Sequence, residues 1–227
     1  MGLRVYPGLG NHDYSNNVND CYNNNCAARM YNYMRDFVLQ SRGLSSFDYK
    51  PSKIYYKFPK NRQYHRGSLS YSWDEGPIHF VQLHNYPAYK NEWSSWNYGK
   101  AIKESFYVES SLTWLKEDLK KAKARNKKII INMHDVFTGF QSSQFRSLLE
   151  EFSVSGIFAG HYHETIGKLK IASVKAPVYL SGASVYQSAL VVEFKKNKMI
   201  IEAYRGRQKG EKAPPYTSST QLFVEAL

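Results

Sequence analysis

Long apolar runs, cysteines and acidic side chains are all scarce in this sequence of 227 residues. No apolar run approaches the roughly 20 residues that a helix needs to span a bilayer, so we expect no transmembrane segment. Acidic residues number 19 against 31 Lys and Arg, which leaves a formal charge of +12. Such a charge attracts anions, including phosphates, nucleic acid and acidic lipid surfaces, although a basic face without any partner is the alternative.

The two cysteines, Cys21 and Cys26, lie close together in an Asn-rich stretch. Two further ligands at suitable spacing are lacking, which argues against a zinc site. A disulfide between them would stiffen this loop and would indicate an exported protein, whereas two reduced thiols would fit a cytosolic one. We favour the disulfide, and both alternatives remain open.

Three short polar segments carry side chains that bind metal ions in proteins. Amide oxygens and imidazole nitrogens suit first-row transition ions such as Mn, Fe or Zn. In an extended segment alternate side chains point the same way, so His161 and His163 are expected to face one site while Tyr162 points elsewhere. The segments are Gly-Asn-His-Asp at residues 10–13, the pair His134-Asp135, and Gly-His-Tyr-His at residues 160–163.

Two apolar runs lead directly into the second and third segments. Residues 129–133 read Ile-Ile-Ile-Asn-Met, which is typical of a buried central strand, and they end at His134. Residues 156–159 form a similar run before Gly160. Because ligand sites in layered α/β sheets lie at the carboxyl ends of strands, two strand ends are expected to converge on one place.

The three segments together resemble the calcineurin-like metallophosphoesterase superfamily, whose members carry the motifs DxH, GDxxD, GNH(D/E), an isolated His and GHxH. Residues 10–13, His134 and residues 160–163 match the last three motifs in order, and the resemblance extends over about residues 3–205. It implies an α/β fold, a four-layer αββα sandwich. Residues 1–205 would be the phosphoesterase domain and residues 206–227 a basic C-terminal tail.

The same resemblance implies roles for individual side chains. His12 is expected to stand near the leaving oxygen and to stabilise charge or donate a proton there, with Asp13 fixing its orientation. The family uses two divalent ions, here Mn, Fe or Zn, to activate the water that attacks phosphorus. The residues implied as metal ligands are Asn11, His134 and His161 for one ion and His163 for the other.

The first two motifs of the superfamily do not occur in the sequence, since it contains no DxH and none of its 14 glycines precedes an Asp. In the family these motifs supply an Asp and a His to one metal and the Asp that bridges both. His163 would then be alone at the first metal, so we expect at most one weakly bound ion in this chain. We interpret the chain as N-terminally truncated and lacking its first βαβ units. A natural short form that works with a partner or without metal is the alternative.

Further expectations concern the segments between the motifs. His84 ends the apolar run at residues 78–83 and is expected to contact substrate from a strand end, whereas His65 and His79 receive no role. The aromatic-rich residues 85–107 are predicted to be a long loop that selects substrate, or else to pack as a small satellite cluster. Residues 3–7 are predicted to be a strand.

These features predict a metal-dependent phosphoesterase that hydrolyses a phosphate mono- or diester, with impaired activity in this chain. Phosphorylated small molecules or macromolecules are the expected substrates, and no oligomeric state is indicated. The alternative from another class is a non-catalytic domain that uses a degenerate phosphoesterase fold to bind nucleic acid or acidic lipid.

Overall fold

The protein is described here by a computed structural model that covers residues 4–50, 54–56, 61–205 and 221–227. None of the helices in these ranges is long and apolar enough to cross a membrane. The helices are α1 (Asn25–Gln40), α2 (Leu112–Ala124), α3 (Val136–Gln141) and α4 (Ser143–Glu151). The strands are β1 (Leu44–Phe47), β2 (Ile54–Tyr55), β3 (Arg62–Arg66), β4 (Tyr71–Glu75), β5 (Ile78–Gln82), β6 (Asn91–Asn97), β7 (Ile102–Val108), β8 (Lys128–Met133), β9 (Gly156–Ala159), β10 (Ile166–Leu169), β11 (Val178–Ser181), β12 (Ala189–Lys195), β13 (Lys198–Tyr204) and β14 (Gln221–Ala226).

A seven-stranded sheet forms the centre of the fold, in the order β1-β4-β5-β8-β9-β11-β10. Its middle strands β5, β8, β9 and β11 are parallel, and Met133 pairs with Ala159 in the register of β8 and β9. Ile129 to Ile131 are at most 1% exposed, because both faces of β8 are covered. The predicted strand ends before His134 and Gly160 therefore lie side by side at one edge of the sheet.

Helices cover one face of this sheet. Leu115 and Leu119 of α2 and Phe145 of α4 are fully buried against the residues of β8 and β9 that point to this side. Ser142 caps the N-terminus of α4, since its hydroxyl accepts a hydrogen bond from Phe145 N. This layer is the helical side expected for the sandwich.

The opposite face packs against a three-stranded antiparallel sheet in the order β12-β13-β14. Met199 and Ile201 of β13 are buried against Ile130 and Tyr179 of the large sheet. The predicted mixed α/β fold with two facing sheets is confirmed. Within the described ranges the outer face of the small sheet is exposed, with apolar side chains at Val191, Leu222 and Val224.

The segment predicted to be a basic tail is partly a strand, since β14 pairs with β13 over residues 221–226. Phe223 packs on Tyr179 of the large sheet, with 5.4 Å between ring centroids. Residues 206–220, which contain most of the basic stretch, lie outside the described residues. The end of the chain thus belongs to the sandwich.

The aromatic-rich segment is a β-hairpin, not the long loop that the sequence predicted. Its strands β6 and β7 pair antiparallel and belong to a four-stranded sheet in the order β2-β3-β7-β6. Trp93 and Phe106 stack on each other with 5.2 Å between centroids, and Tyr31 of α1 contacts both rings. The alternative that these aromatics pack together is therefore the correct one, although they join a large buried cluster that includes Tyr31 of α1 and Tyr71 of β4.

The segment before the first motif is also not a strand, because residues 4–10 have no ladder pairing. Gly8 passes so close to the large sheet that a Cβ there would lie 2.2 Å from Gln82 Nε2. Tyr6 instead stacks on Trp73, with 3.8 Å between ring centroids. Side-chain stacking and single hydrogen bonds hold this segment against the strand ends.

Candidate metal centre

The first motif forms a tight turn at the carboxyl edge of the large sheet. Asp13 N donates to Gly10 O at 3.3 Å, and Gly10 N donates to Asp13 Oδ2 at 2.7 Å. A Cβ on Gly10 would lie 2.6 Å from His134 Cε1, so only glycine lets the turn approach this imidazole. The turn therefore brings Asn11 against the end of β8.

Asn85 connects the first two motifs through its main chain. Its carbonyl accepts hydrogen bonds from His134 N at 3.0 Å and Asp135 N at 2.9 Å, and its own N–H donates to Leu9 O at 2.8 Å. Asn85 adopts a left-handed backbone with φ of +53°, a conformation that asparagine tolerates better than most residues. The loop before Asn11 and the end of β8 are thus tied to one buried residue.

Three of the predicted ligands meet around one nitrogen. His134 Nε2 lies 2.7 Å from Asn11 Oδ1 and 3.1 Å from His161 Nδ1. His161 has a left-handed φ of +68°, which is uncommon for a non-glycine residue and which clusters at functional sites. We refer to Asn11, His134 and His161 as the ligand cluster.

Burial sets the charge state of this cluster. Burial, with a smaller contribution from the neighbouring His161, lowers the pKa of His134 to about 4, although Asp135 opposes this change. His134 is therefore neutral near pH 7, and a neutral imidazole is the form that binds a metal. Because Asn11 Oδ1 can only accept, Nε2 of His134 donates the hydrogen in their 2.7 Å contact, and an ion bound there would displace this hydrogen.

The donor set of the cluster fits a transition ion, because it combines one amide oxygen with two imidazole nitrogens. Within the described residues, however, no group of three or more His, Cys, Asp or Glu side chains lies close enough to hold a metal. The cluster itself contains two such side chains and completes its set with Asn11. It contains no carboxylate, which leaves the charge of a divalent cation uncompensated.

His163 does not enter the cluster, although the sequence predicted that it would face the same site as His161. The left-handed backbone of His161 bends the segment, so the alternation of an extended strand does not apply. The side chain of His163 is exposed. His163 still lies close enough to His134 to lower the pKa of His134, although burial and His161 lower that pKa more.

His12 is exposed beside Asn11, where a substrate can reach its ring. The carboxylate of Asp13 contacts the backbone of Gly10 and stabilises the turn. Asn17 Nδ2 donates to the carbonyl oxygens of both His12 and Asp13 at 3.0 Å. The turn is held rigidly from two sides, and an orientation of the His12 ring by Asp13 stays a prediction.

His84 is a structural residue and is not placed to contact substrate. Its Nδ1 accepts a 2.9 Å hydrogen bond from Leu9 N, and its Nε2 donates to Leu69 O at 2.8 Å. The ring is 4% exposed, and burial lowers its pKa to about 4. His84 therefore anchors the loop that carries the first motif.

Asp135 and Tyr162 form a polar pair next to the ligand cluster, and neither residue was predicted to have a role. Tyr162 donates to Asp135 Oδ1 at 3.1 Å, and Thr138 donates to both carboxylate oxygens from its N–H and its hydroxyl. Burial opposes ionisation, but these hydrogen bonds hold the pKa of Asp135 below its ordinary value. The sequence could have identified Asp135 as the N-cap of a helix, because Thr138 follows it at the spacing that is typical of an N-cap contact.

A disulfide joins Cys21, in the segment that follows the first motif, to Cys26 in the first turn of α1. The loop ends at α1, and Asn24 Nδ2 donates to Ser94 O of β6 at 3.2 Å. The disulfide therefore closes the segment that connects the candidate site to α1. Export from the cell stays a prediction.

A comparison with protein families identifies the family to which the chain belongs. The family model described as calcineurin-like phosphoesterase matches residues 2–165, which is more than half of the chain. The chain belongs to the calcineurin-like phosphoesterase family. Members of this family are generally phosphoester hydrolases that use divalent metals, and their substrates are phosphorylated. No curated protein matches the chain significantly.

Proposed function

We propose that this calcineurin-like phosphoesterase chain hydrolyses a phosphate mono- or diester, with a divalent ion held by the ligand cluster. The observation that carries the proposal is that His134 Nε2 lies 2.7 Å from Asn11 Oδ1 and 3.1 Å from His161 Nδ1. These atoms come from three segments far apart in the sequence. An ion bound there would supply Lewis acidity, which activates water and neutralises charge on a phosphate.

The protein's own side chains have separate tasks in this proposal. The neutral ring of His134 and the amide of Asn11 would hold the ion at the edge of the sheet. His12, exposed next to Asn11, can donate a proton to the leaving oxygen. The exposed ring of His163 is available to the phosphate or to a second ion.

We further propose that activity in this chain is weak. The cluster has no carboxylate, and the sequence contains neither DxH nor GDxxD, which supply the acidic ligands in the family. A site with neutral ligands alone binds a dication less tightly than one with anionic ligands. Mn, Fe and Zn all fit these donors, and one weakly bound ion is the expected stoichiometry.

The test is hydrolysis of 4-nitrophenyl phosphate and bis(4-nitrophenyl) phosphate with added Mn²⁺. We expect slow release of nitrophenolate that EDTA stops and that Asn11→Ala and His161→Ala abolish. Asn16→Ala is the matched control, because Asn16 is an exposed asparagine of the same loop. Complete absence of Mn²⁺-dependent turnover would contradict the proposed activity, and fast turnover lost in His161→Ala would contradict the proposed weakness.

The second candidate is a non-catalytic anion-binding domain, and the formal charge of +12 favours it. Lys116, Lys120 and Lys121 are exposed along α2, although cations near a helix C-terminus are also favoured by its dipole. This candidate predicts binding of a single-stranded oligonucleotide that weakens steeply with salt and does not respond to EDTA. Metal-dependent turnover without such binding would reject it.

A further inference from the structure

One aromatic side chain next to the ligand cluster is exposed although its neighbours are buried. Phe137, in the first turn of α3, is 44% exposed, whereas Val136 is fully buried and Phe140 is 6% exposed. A single exposed phenylalanine needs no special explanation on its own. Its position three residues after the ligand His134 is what makes it relevant to substrate.

A continuous row of rings connects Phe137 to the cluster. The Phe137 and Tyr162 centroids lie 4.8 Å apart at an interplanar angle of 85°. Tyr162 lies 5.0 Å from His161 at 90°, and His161 lies 4.9 Å from His134 at 73°. Phe137 is therefore two ring contacts away from the imidazole of His161, a proposed metal ligand, and an organic group bonded to a phosphate extends over several ångströms.

The row is held in place by polar contacts that leave Phe137 itself free to contact a ligand. Tyr162 donates its hydroxyl to Asp135 Oδ1 at 3.1 Å, and Asp135 is fixed in turn by the Thr138 N–H at 3.1 Å. A pre-organised ring loses little conformational freedom when a ligand packs on it. Tyr162 thus gives Phe137 a fixed ring to pack against, next to the ligand cluster.

We propose that Phe137, supported by Tyr162, selects phosphoesters whose organic group is a planar aromatic ring. Aromatic rings pack on one another in offset or edge-to-face geometry with a gain beyond area burial, whereas a saturated ring of similar size lacks this gain. Phe137 is then a specificity-determining residue. This inference rests on the proposed function, because the phosphate must first be held at the ligand cluster.

The test compares the affinities of phenyl phosphate and cyclohexyl phosphate by calorimetric titration with Mn²⁺ present. Both ligands carry the same phosphate and a six-membered ring, so their ratio isolates the aromatic contact. We expect phenyl phosphate to bind about two- to tenfold more tightly. Phe137→Ala should remove this preference and Phe137→Tyr should keep it, while Tyr33→Ala, at a 64% exposed aromatic residue of α1, is the control that should also keep it.

The possible outcomes separate the two proposals. If the wild-type protein binds both phosphates equally, the aromatic preference is refuted and the proposed function stands. A preference that persists in Phe137→Ala also refutes the role of Phe137. If neither phosphate binds to any variant, the phosphoester site itself is refuted, together with the inference that depends on it.

Discussion

His84 connects the stability of the fold with the loop that carries Asn11, and its replacement tests this connection. In His84→Leu the N–H of Leu9 and the carbonyl of Leu69 lose their partners in a buried environment. Each buried polar group without a partner costs about 1–3 kcal/mol, so for the two groups we expect a loss of about 2–6 kcal/mol in the free energy of unfolding. Because the variant loses both contacts at once, this loss is large for a single substitution.

The pH dependence of the free energy of unfolding gives a second, independent estimate of the stability that His84 contributes. Protonation would place a hydrogen on Nδ1, which accepts from Leu9 N, and burial lowers the pKa of His84 from 6.5 to about 4. Between these values the unfolded chain binds a proton that the folded protein does not bind. Stability contributed by neutral His84 is therefore lost as pH falls from 6.5 towards 4, by about 2 kcal/mol at about pH 5.

The assay is urea unfolding at about pH 7 and about pH 5, monitored by tryptophan fluorescence. The wild-type protein should lose about 2 kcal/mol more than His84→Leu between these conditions, since the variant has no imidazole at this position. His134 shares the lowered pKa, but it is present in both proteins and cancels in the comparison. Equal acid sensitivity of the two proteins would refute the reasoning.

Three further perturbations follow from other parts of the structure. Gly10→Ala places a Cβ 2.6 Å from His134 Cε1 and should weaken Zn²⁺ binding in a calorimetric titration. Gly99→Ala is the control, because its Cβ would lie 3.6 Å from the nearest atom and should not change Zn²⁺ binding. Equal affinities of the two variants for Zn²⁺ would contradict the importance of the close approach at Gly10. The ring of His79 lies between the carboxylates of Asp74 and Asp118. Burial opposes protonation of His79, but the two carboxylates raise its pKa above the ordinary value of 6.5. The stability that protonated His79 contributes is therefore complete below pH 6.5 and is lost as the pH rises through the raised pKa. Asp118→Asn should reduce this alkaline decline in urea unfolding, and an unchanged decline would exclude the ion pair as its cause. Replacing Cys21 and Cys26 together by Ser should cost about 2 kcal/mol on the chain-entropy estimate, and an unchanged melting temperature would show that the disulfide adds no stability.

The strands at the centre of the fold were predicted correctly because each of them corresponds to a short apolar run that can be recognised in the sequence. The largely apolar run at residues 129–133 is typical of a buried strand, and the strand ends where polar residues begin, at His134. The same reasoning placed β9 before Gly160. Asn11, His134 and His161 were predicted to meet, and the structure brings these three together.

The predictions that differ from the structure depended on contacts that the sequence does not display. The hairpin of β6 and β7 was read as a loop, because Trp93 and Phe106 are buried through contacts with α1, far away in the sequence. The role of His84 depends on two backbone groups that only the folded chain brings to its ring. His163 was placed by assuming an extended segment, and the left-handed conformation of His161 changes its direction.

The central claim is that Asn11, His134 and His161 hold a divalent ion, and thermal unfolding with Mn²⁺ or with EDTA tests it most directly. An ion that binds only the folded protein stabilises it by about 2.7 kcal/mol when its free concentration is a hundredfold above Kd. We predict that Mn²⁺ raises the melting temperature of the wild-type protein and of Asn16→Ala, but not that of His161→Ala. A wild-type melting temperature that does not respond to Mn²⁺, or an equal increase in His161→Ala, would contradict the account.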